Sequence, residues 1–116
     1  MIQNLAKKAK LEINLKICKD IFSQSIGLMF SKKQSMALIF KFDREKIVPL
    51  HMLFVFYKID VLFLDEKKIV VDLKENFMPF SFYTPKEKAM YVVEIPSNSI
   101  KKLKAEIGDR IGFDNE

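Results

Sequence analysis

With 116 residues, 49% of them hydrophobic and 30% charged, the chain is long enough to bury the core of one compact domain and too apolar to remain disordered. Its single cysteine, Cys18, excludes a disulfide framework within the chain, and no apolar run approaches the roughly 20 residues that cross a bilayer as a helix. The net charge of +5 gathers in residues 1–33, where seven lysines face Glu12 and Asp20, yet eighteen of the twenty basic residues are Lys and only Arg44 and Arg110 carry the guanidinium fork that base and phosphate readers favour.

The first ten residues are rich in Lys and lead into no apolar stretch, so they read as a basic tail ahead of a single β-rich domain spanning 1–116. They do not make a signal peptide, and with one cysteine the expected compartment is the cytoplasm. Residues 11–17, LEINLKI, alternate apolar and polar side chains with Leu11, Ile13, Leu15 and Ile17 on one side, which predicts a strand. Residues 19–30 place Phe22, Ile26 and Met29 at helical spacing around Gly27 and predict a short helix, followed by a polar connection at 31–33. A second strand, SMALIFKF at 35–42, puts Met36, Leu38, Phe40 and Phe42 on one face, with its turn at 43–46. Pro49 then holds Val48 extended.

Residues 50–73 form the organising stretch. Segments 52–56, 59–64 and 68–73 are short, rich in β-branched and aromatic residues and apolar on both faces, as strands covered on both sides are, with DEKK at 65–68 as the hairpin turn between the last two. Residues 76–88 combine two prolines with four aromatic side chains and predict an irregular aromatic loop. Residues 89–95, AMYVVEI, give another strand closed by Pro96. Ser97 or Ser99 then caps a short helix with Ile100, Leu103 and Ile107 on one face and Gly108 at its end, before a last strand at 109–113. The fold class is mainly β: a small β-sandwich or partly closed barrel with one or two short helices.

The chemistry is bounded by what is missing. One His and one Cys in different elements, with no CxxC, HxH or HExxH, predict no metal site. Three glycines form neither a P-loop nor a dinucleotide fingerprint, no GxSxG is present, and no cofactor is expected. Cys18 ends a strand pattern and reads as an inert, half-buried thiol rather than the nucleophile of a Cys18–His51 pair. Asp60 lies inside an apolar strand, so it is either the partner that orients His51 in a catalytic pocket or a carboxylate bonded to backbone amides at a bulge or strand start; the second reading takes precedence. His51 and the loop side chains Met78, Phe80, Phe82 and Tyr83 are the candidate ligand or interface residues, since rigid aromatics and an adaptable Met on a loop suit a binding rim. Alternation there also allows some of these rings, Phe77 included, to fold back into the core.

Several blocks in order carry a resemblance: Ile26-Gly27-Leu28-Met29-Phe30, Ala37-Leu38-Ile39-Phe40-Lys41-Phe42, Ile59-Asp60-Val61-Leu62-Phe63-Leu64-Asp65 with Ile69-Val70-Val71, Ala89-Met90-Tyr91-Val92-Val93-Glu94-Ile95, and Ile107-Gly108-Asp109-Arg110-Ile111. Over about residues 11–113 they resemble the domain-of-unknown-function family 192, in the form of an archaeal-type member without a leader peptide. The resemblance implies a small β-rich domain related to jelly-roll sandwiches, with no established activity. Many bacterial members of that family carry an Arg before GLM and an FWMKNT block before the Asp strand. Here Gln24 stands near the first and Leu50-His51-Met52-Leu53-Phe54-Val55 fills the second, so His51, Met52 and Asp60 are what remains of any polar site implied there.

The leading expectation is a non-enzymatic module binding a small molecule or a protein where His51 meets the aromatic loop. One alternative is an enzyme with His51 as general base assisted by Asp60, Asp65 or Glu94. Another, less favoured, is an RNA-binding protein using Lys7, Lys8, Lys10, Lys32 and Lys33.

Overall fold

The computed structural model describes residues 1–18, 36–51, 58–78 and 81–114, without the side chains of Cys18 and His51. The elements in chain order are β1 (Ile2–Asn4), β2 (Ala9–Leu11), β3 (Asn14–Cys18), β4 (Met36–Lys46), β5 (Leu50–His51), β6 (Ile59–Leu64), β7 (Val70–Phe77), β8 (Phe82–Tyr83), β9 (Ala89–Pro96), α1 (Ser99–Leu103) and β10 (Ile111–Phe113). The expected helix at 19–30, the connection at 31–33, the expected strand at 52–56 and Phe80 lie outside the described residues.

A five-stranded sheet in the order β3-β4-β9-β6-β7 forms the body of the molecule. All its pairings are antiparallel except β3 with β4, which are parallel. The strand β6, IDVLFL, is buried at every position because it lies between β9 and β7 with apolar groups on both of its faces. This explains why its sequence has lost the alternation of a half-exposed strand. Leu62 and Leu64 face a core made with Ile2, Ile39, Val93, Ile95, Ile100, Leu103 and Ile111. Ile59, Val61 and Phe63 face a second core made with Leu38, Phe40, Leu50, Phe77, Ala89 and Val92.

The first core is closed by α1 and by a three-stranded antiparallel sheet in the order β10-β1-β2. Two sheets packed around one apolar layer make a small β-sandwich, and no barrel closes among the described residues. On the second core sits a two-stranded ribbon, β5 with β8, through Leu50 and Tyr83.

Three expectations are corrected. Residues 1–10 are not a tail: Ile2 and Asn4 are fully buried in β1, the middle strand of the small sheet, and Ile2 is paired to Phe113 at the far end of the chain. Three residues are too short for a periodicity to show, so this strand was hidden among lysines. The segment 43–46 is not a turn but the continuation of β4, which slips register between the pairs Lys41–Tyr91 and Lys46–Ala89. Its charged residues face outward at a bulge. The helix ends at Leu103, where Lys104 takes a left-handed conformation (φ 55°), and not at Gly108, which serves the following turn with φ 98°. Ile107 is therefore exposed. Asp109 explains the early stop: its carboxylate accepts from Asn4 Nδ2 (2.9 Å), Lys7 Nζ (2.6 Å) and the Glu106 N–H (3.0 Å), drawing the chain out of the helix toward β1. The Lys7 ammonium holds this carboxyl below the usual carboxylate range, and the same bond raises Lys7.

Candidate functional site

Asp60 projects from β6 toward the first core, since its neighbours Ile59 and Val61 face the second. It is 1% exposed, and both carboxylate oxygens are engaged. Oδ1 accepts the Asn76 N–H at 2.9 Å and Oδ2 accepts the Ile100 N–H at 2.9 Å. The first bond fills a bulge, because β7 passes from the Lys74–Val61 pair to the Phe77–Ile59 pair with an extra residue and Asn76 turned to φ 51°. The second caps α1, where neither Ser97 nor Ser99 does so and the N-cap residue Asn98 offers no side-chain bond. Ser97 instead donates to Asn76 Oδ1 at 2.6 Å. Asp65 is similarly engaged at the β6–β7 turn, where Oδ1 accepts the N–H groups of Lys67 and Ile69. These carboxylates hold backbone in place.

The other face of the sheet carries an acid with one oxygen that has no such partner. Along β9, Tyr91, Val93 and Ile95 join the first core and Val92 the second, so Glu94 faces the second. In register it lies opposite Leu38 of β4 and Val61 of β6. Glu94 is 7% exposed, and Oε1 is buried with no hydrogen-bond partner. Burial without compensation disfavours the charged form, and the carboxyl is pushed up to about 8. Near neutral pH Glu94 therefore carries its proton and presents both an O–H donor and a carbonyl acceptor.

One row along, Phe63 of β6 is opposite Asp72 of β7. The Tyr83 hydroxyl donates to Asp72 at 3.0 Å to Oδ1 and 2.9 Å to Oδ2, and the ring stands 5.8 Å from Phe63 and 6.4 Å from Phe77. Burial and the bond to Asp72 raise the Tyr83 phenol above its ordinary value. The Lys74 ammonium lies 5.6 Å over the same ring.

Of the residues expected at a binding rim, Tyr83 is packed and bonded in this way, while Met78 and Phe82 are 55% and 63% exposed. Phe77 folds back into the core at 1% exposure. The backbone of His51 is paired directly with Phe82 in the β5–β8 ribbon, so the two ends named as candidates adjoin; Phe80 lies outside the described residues. Asp60 turns toward α1, and the side chain of His51 lies outside the described residues. Sequence reasoning named Glu94 only as a possible helper and missed Asp72 and Lys74. The available signal was the position of Glu94 two residues beyond Val92, on the side of an all-apolar neighbouring strand.

Among the described residues, no group of three or more His, Cys, Asp or Glu is placed to hold a metal ion. None of their helices is long and apolar enough to cross a membrane.

Comparison with known proteins agrees with the fold. A UPF0127 protein from Thermococcus sibiricus is 38% identical over 118 residues, covering 100% of this chain and 76% of its own length. One from Pyrococcus furiosus is 37% identical, with 93% of each chain covered. Among solved structures, a candidate transcription regulator from Sinorhizobium meliloti superposes with a TM-score of 0.85 at 22% identity, covering 96% of this chain and 90% of its own. A protein of unknown function from Novosphingobium aromaticivorans gives 0.78 at 18% identity, covering 87% and 75%. Residues 2–113 match the domain-of-unknown-function family 192, described as "Uncharacterized ACR", and the chain belongs to that family.

Proposed function

We propose that the chain is a non-enzymatic binding module whose small ligand occupies the Glu94 face of the five-stranded sheet, beside the β5–β8 ribbon. The observation that carries this reading is the carboxyl of Glu94, buried between Leu38 and Val61 with Oε1 unpartnered. Leaving a buried polar atom unsatisfied costs about 1–3 kcal/mol, so a native fold that keeps one calls for a reason, and a bound polar group is such a reason. A protonated carboxyl in an apolar wall recognises a polar group on an otherwise apolar molecule.

The enzymatic alternative is weaker, because two of the three carboxylates available to assist His51, Asp60 and Asp65, are bonded to backbone amides. A protein partner is the second reading, favoured by the exposed side chains of Met78 and Phe82. The likeness to a candidate transcription regulator is one of fold at 22% identity and carries no DNA-binding role here. Lys7, the first lysine of the RNA-binding alternative, is paired with Asp109 and Glu106. The single Cys18 suits a reducing cytoplasm.

The test is native mass spectrometry of the full chain purified from its own cells, beside a Glu94→Leu variant. A retained small molecule, absent from the variant at equal folded yield, is the expected result. A mass equal to the bare chain, together with a Glu94 carboxyl carbon resonance unmoved by a metabolite library, refutes the reading.

A further inference from the structure

Three basic side chains from three parts of the chain gather on the face of the sheet opposite Glu94. Lys41 of β4 is the register partner of Tyr91 of β9, whose ring belongs to the first core. Lys68 closes the β6–β7 turn in a left-handed conformation (φ 64°), and its carbonyl accepts the Ile111 N–H at 2.9 Å while Ile69 pairs with Arg110. These contacts lay the turn against residues 110–111. The Lys68 ammonium accordingly stands 4.5 Å over the Phe113 ring and 5.8 Å over that of Tyr91, and the Lys41 ammonium also stands 5.8 Å over Tyr91. The two rings meet edge to face at 5.7 Å. Lys41, Lys68 and Phe113 are half-buried and Arg110 is exposed, so the cluster lies at the surface and a ligand reaches it without opening the core. Partial burial, and then the charges of Lys41 and Arg110, lower the Lys68 ammonium from its ordinary value.

We propose that Lys41, Lys68 and Arg110 form a binding site for the phosphate group of a small phosphate monoester. The site is independent of the Glu94 face. Ring faces attract an ammonium but neutralise nothing, and Lys41 and Arg110 make no ion pair among the described residues. The acids next to them in the chain are committed elsewhere: Asp109 to Lys7 and Asn4, Asp114 to the N-terminal amine, and Asp65 Oδ1 to the N–H groups of its own turn. The count of charges and oxygens then selects the anion. A phosphate monoester brings close to two charges and three terminal oxygens, one for each cation, and the Arg110 fork suits such oxygens. A carboxylate brings one charge and two oxygens, and a phosphodiester of a nucleic-acid backbone likewise presents one charge and two free oxygens.

The test is a titration of the isotope-labelled full chain with phenyl phosphate, benzoate and a short single-stranded oligonucleotide lacking terminal phosphates. Ionic strength is held constant at about pH 7.5, where the monoester carries nearly its full charge because its second pKa is about 6. The variants are Lys41→Met, Arg110→Gln and, as a control of equal charge on exposed α1, Lys102→Gln, each checked by thermal unfolding. Phenyl phosphate is expected to shift the amides of Lys41, Lys68, Arg110 and Ile111 saturably, and to bind about tenfold more tightly than benzoate. Lys41→Met and Arg110→Gln should each weaken it about fivefold, the size of one part-exposed ion contact, and Lys102→Gln should leave it unchanged. Absence of saturable shifts at these residues overturns the site. An equal loss in Lys102→Gln reduces it to diffuse positive charge and overturns it as well. Benzoate binding as tightly as phenyl phosphate, or the oligonucleotide binding more tightly, overturns the monoester.

Discussion

Glu94→Gln should make the protein more stable at neutral pH while leaving it nearly unchanged in mild acid. The wild-type carboxyl moves from an ordinary 4.5 when unfolded to about 8 when folded. Below about pH 4.5 both states hold the proton, so the folded state pays nothing. As the pH rises the unfolded chain ionises first, and stability falls by roughly 1.4 kcal/mol per pH unit until the folded carboxyl also ionises near pH 8. The total is about 5 kcal/mol, of which about 3 kcal/mol has been lost at pH 7. Gln keeps the shape and a donor but cannot ionise, so the variant should gain about that 3 kcal/mol at pH 7. Of the groups on the same face, Lys74 would favour ionisation and Asp72 oppose it, but neither is bonded to Glu94, whose register neighbours are Leu38 and Val61. Urea denaturation of both proteins in steps from about pH 4 to 9 reads the difference directly, because the other titrating groups are shared. A difference that stays flat across this range, or a wild type that is the more stable at pH 7, shows that Glu94 is ionised and paired, and removes the donor on which the proposed site depends.

Asp60→Ala should cost about 2 kcal/mol, since the buried N–H of Ile100 and the part-buried N–H of Asn76 lose their acceptor at once; urea denaturation measures it, and amide shifts confined to the α1 side of the sheet would separate this from a role on the Glu94 face. Deleting residues 2–11 removes two of the three strands of the small sheet together with the buried Ile2 and Asn4. Calorimetry should then show no cooperative transition, whereas a true tail would leave the melting temperature unchanged. Tyr83→Phe should cost about 1 kcal/mol through the lost bond to Asp72. In alkaline titration followed by ultraviolet absorbance it should delete a component that ionises above the ordinary tyrosine value, because the phenol is raised by burial and by Asp72; loss of a component at the ordinary value instead would show that the phenol does not face Asp72.

What the sequence disclosed and what it withheld follow from the range of the interactions. The buried strand β6 was legible because burial on two faces writes itself into six consecutive residues. The turn at 65–68 was legible because its bonds close within a few residues, from Asp65 Oδ1 to Lys67 and Ile69. The strand β1 was not, since its burial depends on Ile111 and Phe113 at the opposite end of the chain. The helix end was misplaced for the same reason: Gly108 is a good local stop, but the bonds from Asn4 and Lys7 to Asp109 span over a hundred positions and decide the matter first.

Asp60 and Glu94 bring this to the level of function. Each is an acid set in an apolar run of a central strand, and one strand lies beside the other, with Asp60 opposite Ile95 and Glu94 opposite Val61. In sequence they pose the same problem, a polar group that burial penalises unless it is bonded. The pleat turns them to opposite faces, and the faces differ in what they supply. Toward α1, Asp60 meets two backbone N–H groups that the bulge and the helix start leave without partners, so the cost of burying it is offset by bonds that the fold needs. On the other face, the strands beside Glu94 present Leu38 and Val61, and its Oε1 finds nothing. A carboxyl that stabilised the fold would resemble Asp60. Glu94 meets burial without compensation, which pushes its carboxyl up, and the pH-dependent comparison with Glu94→Gln measures that difference between the two faces.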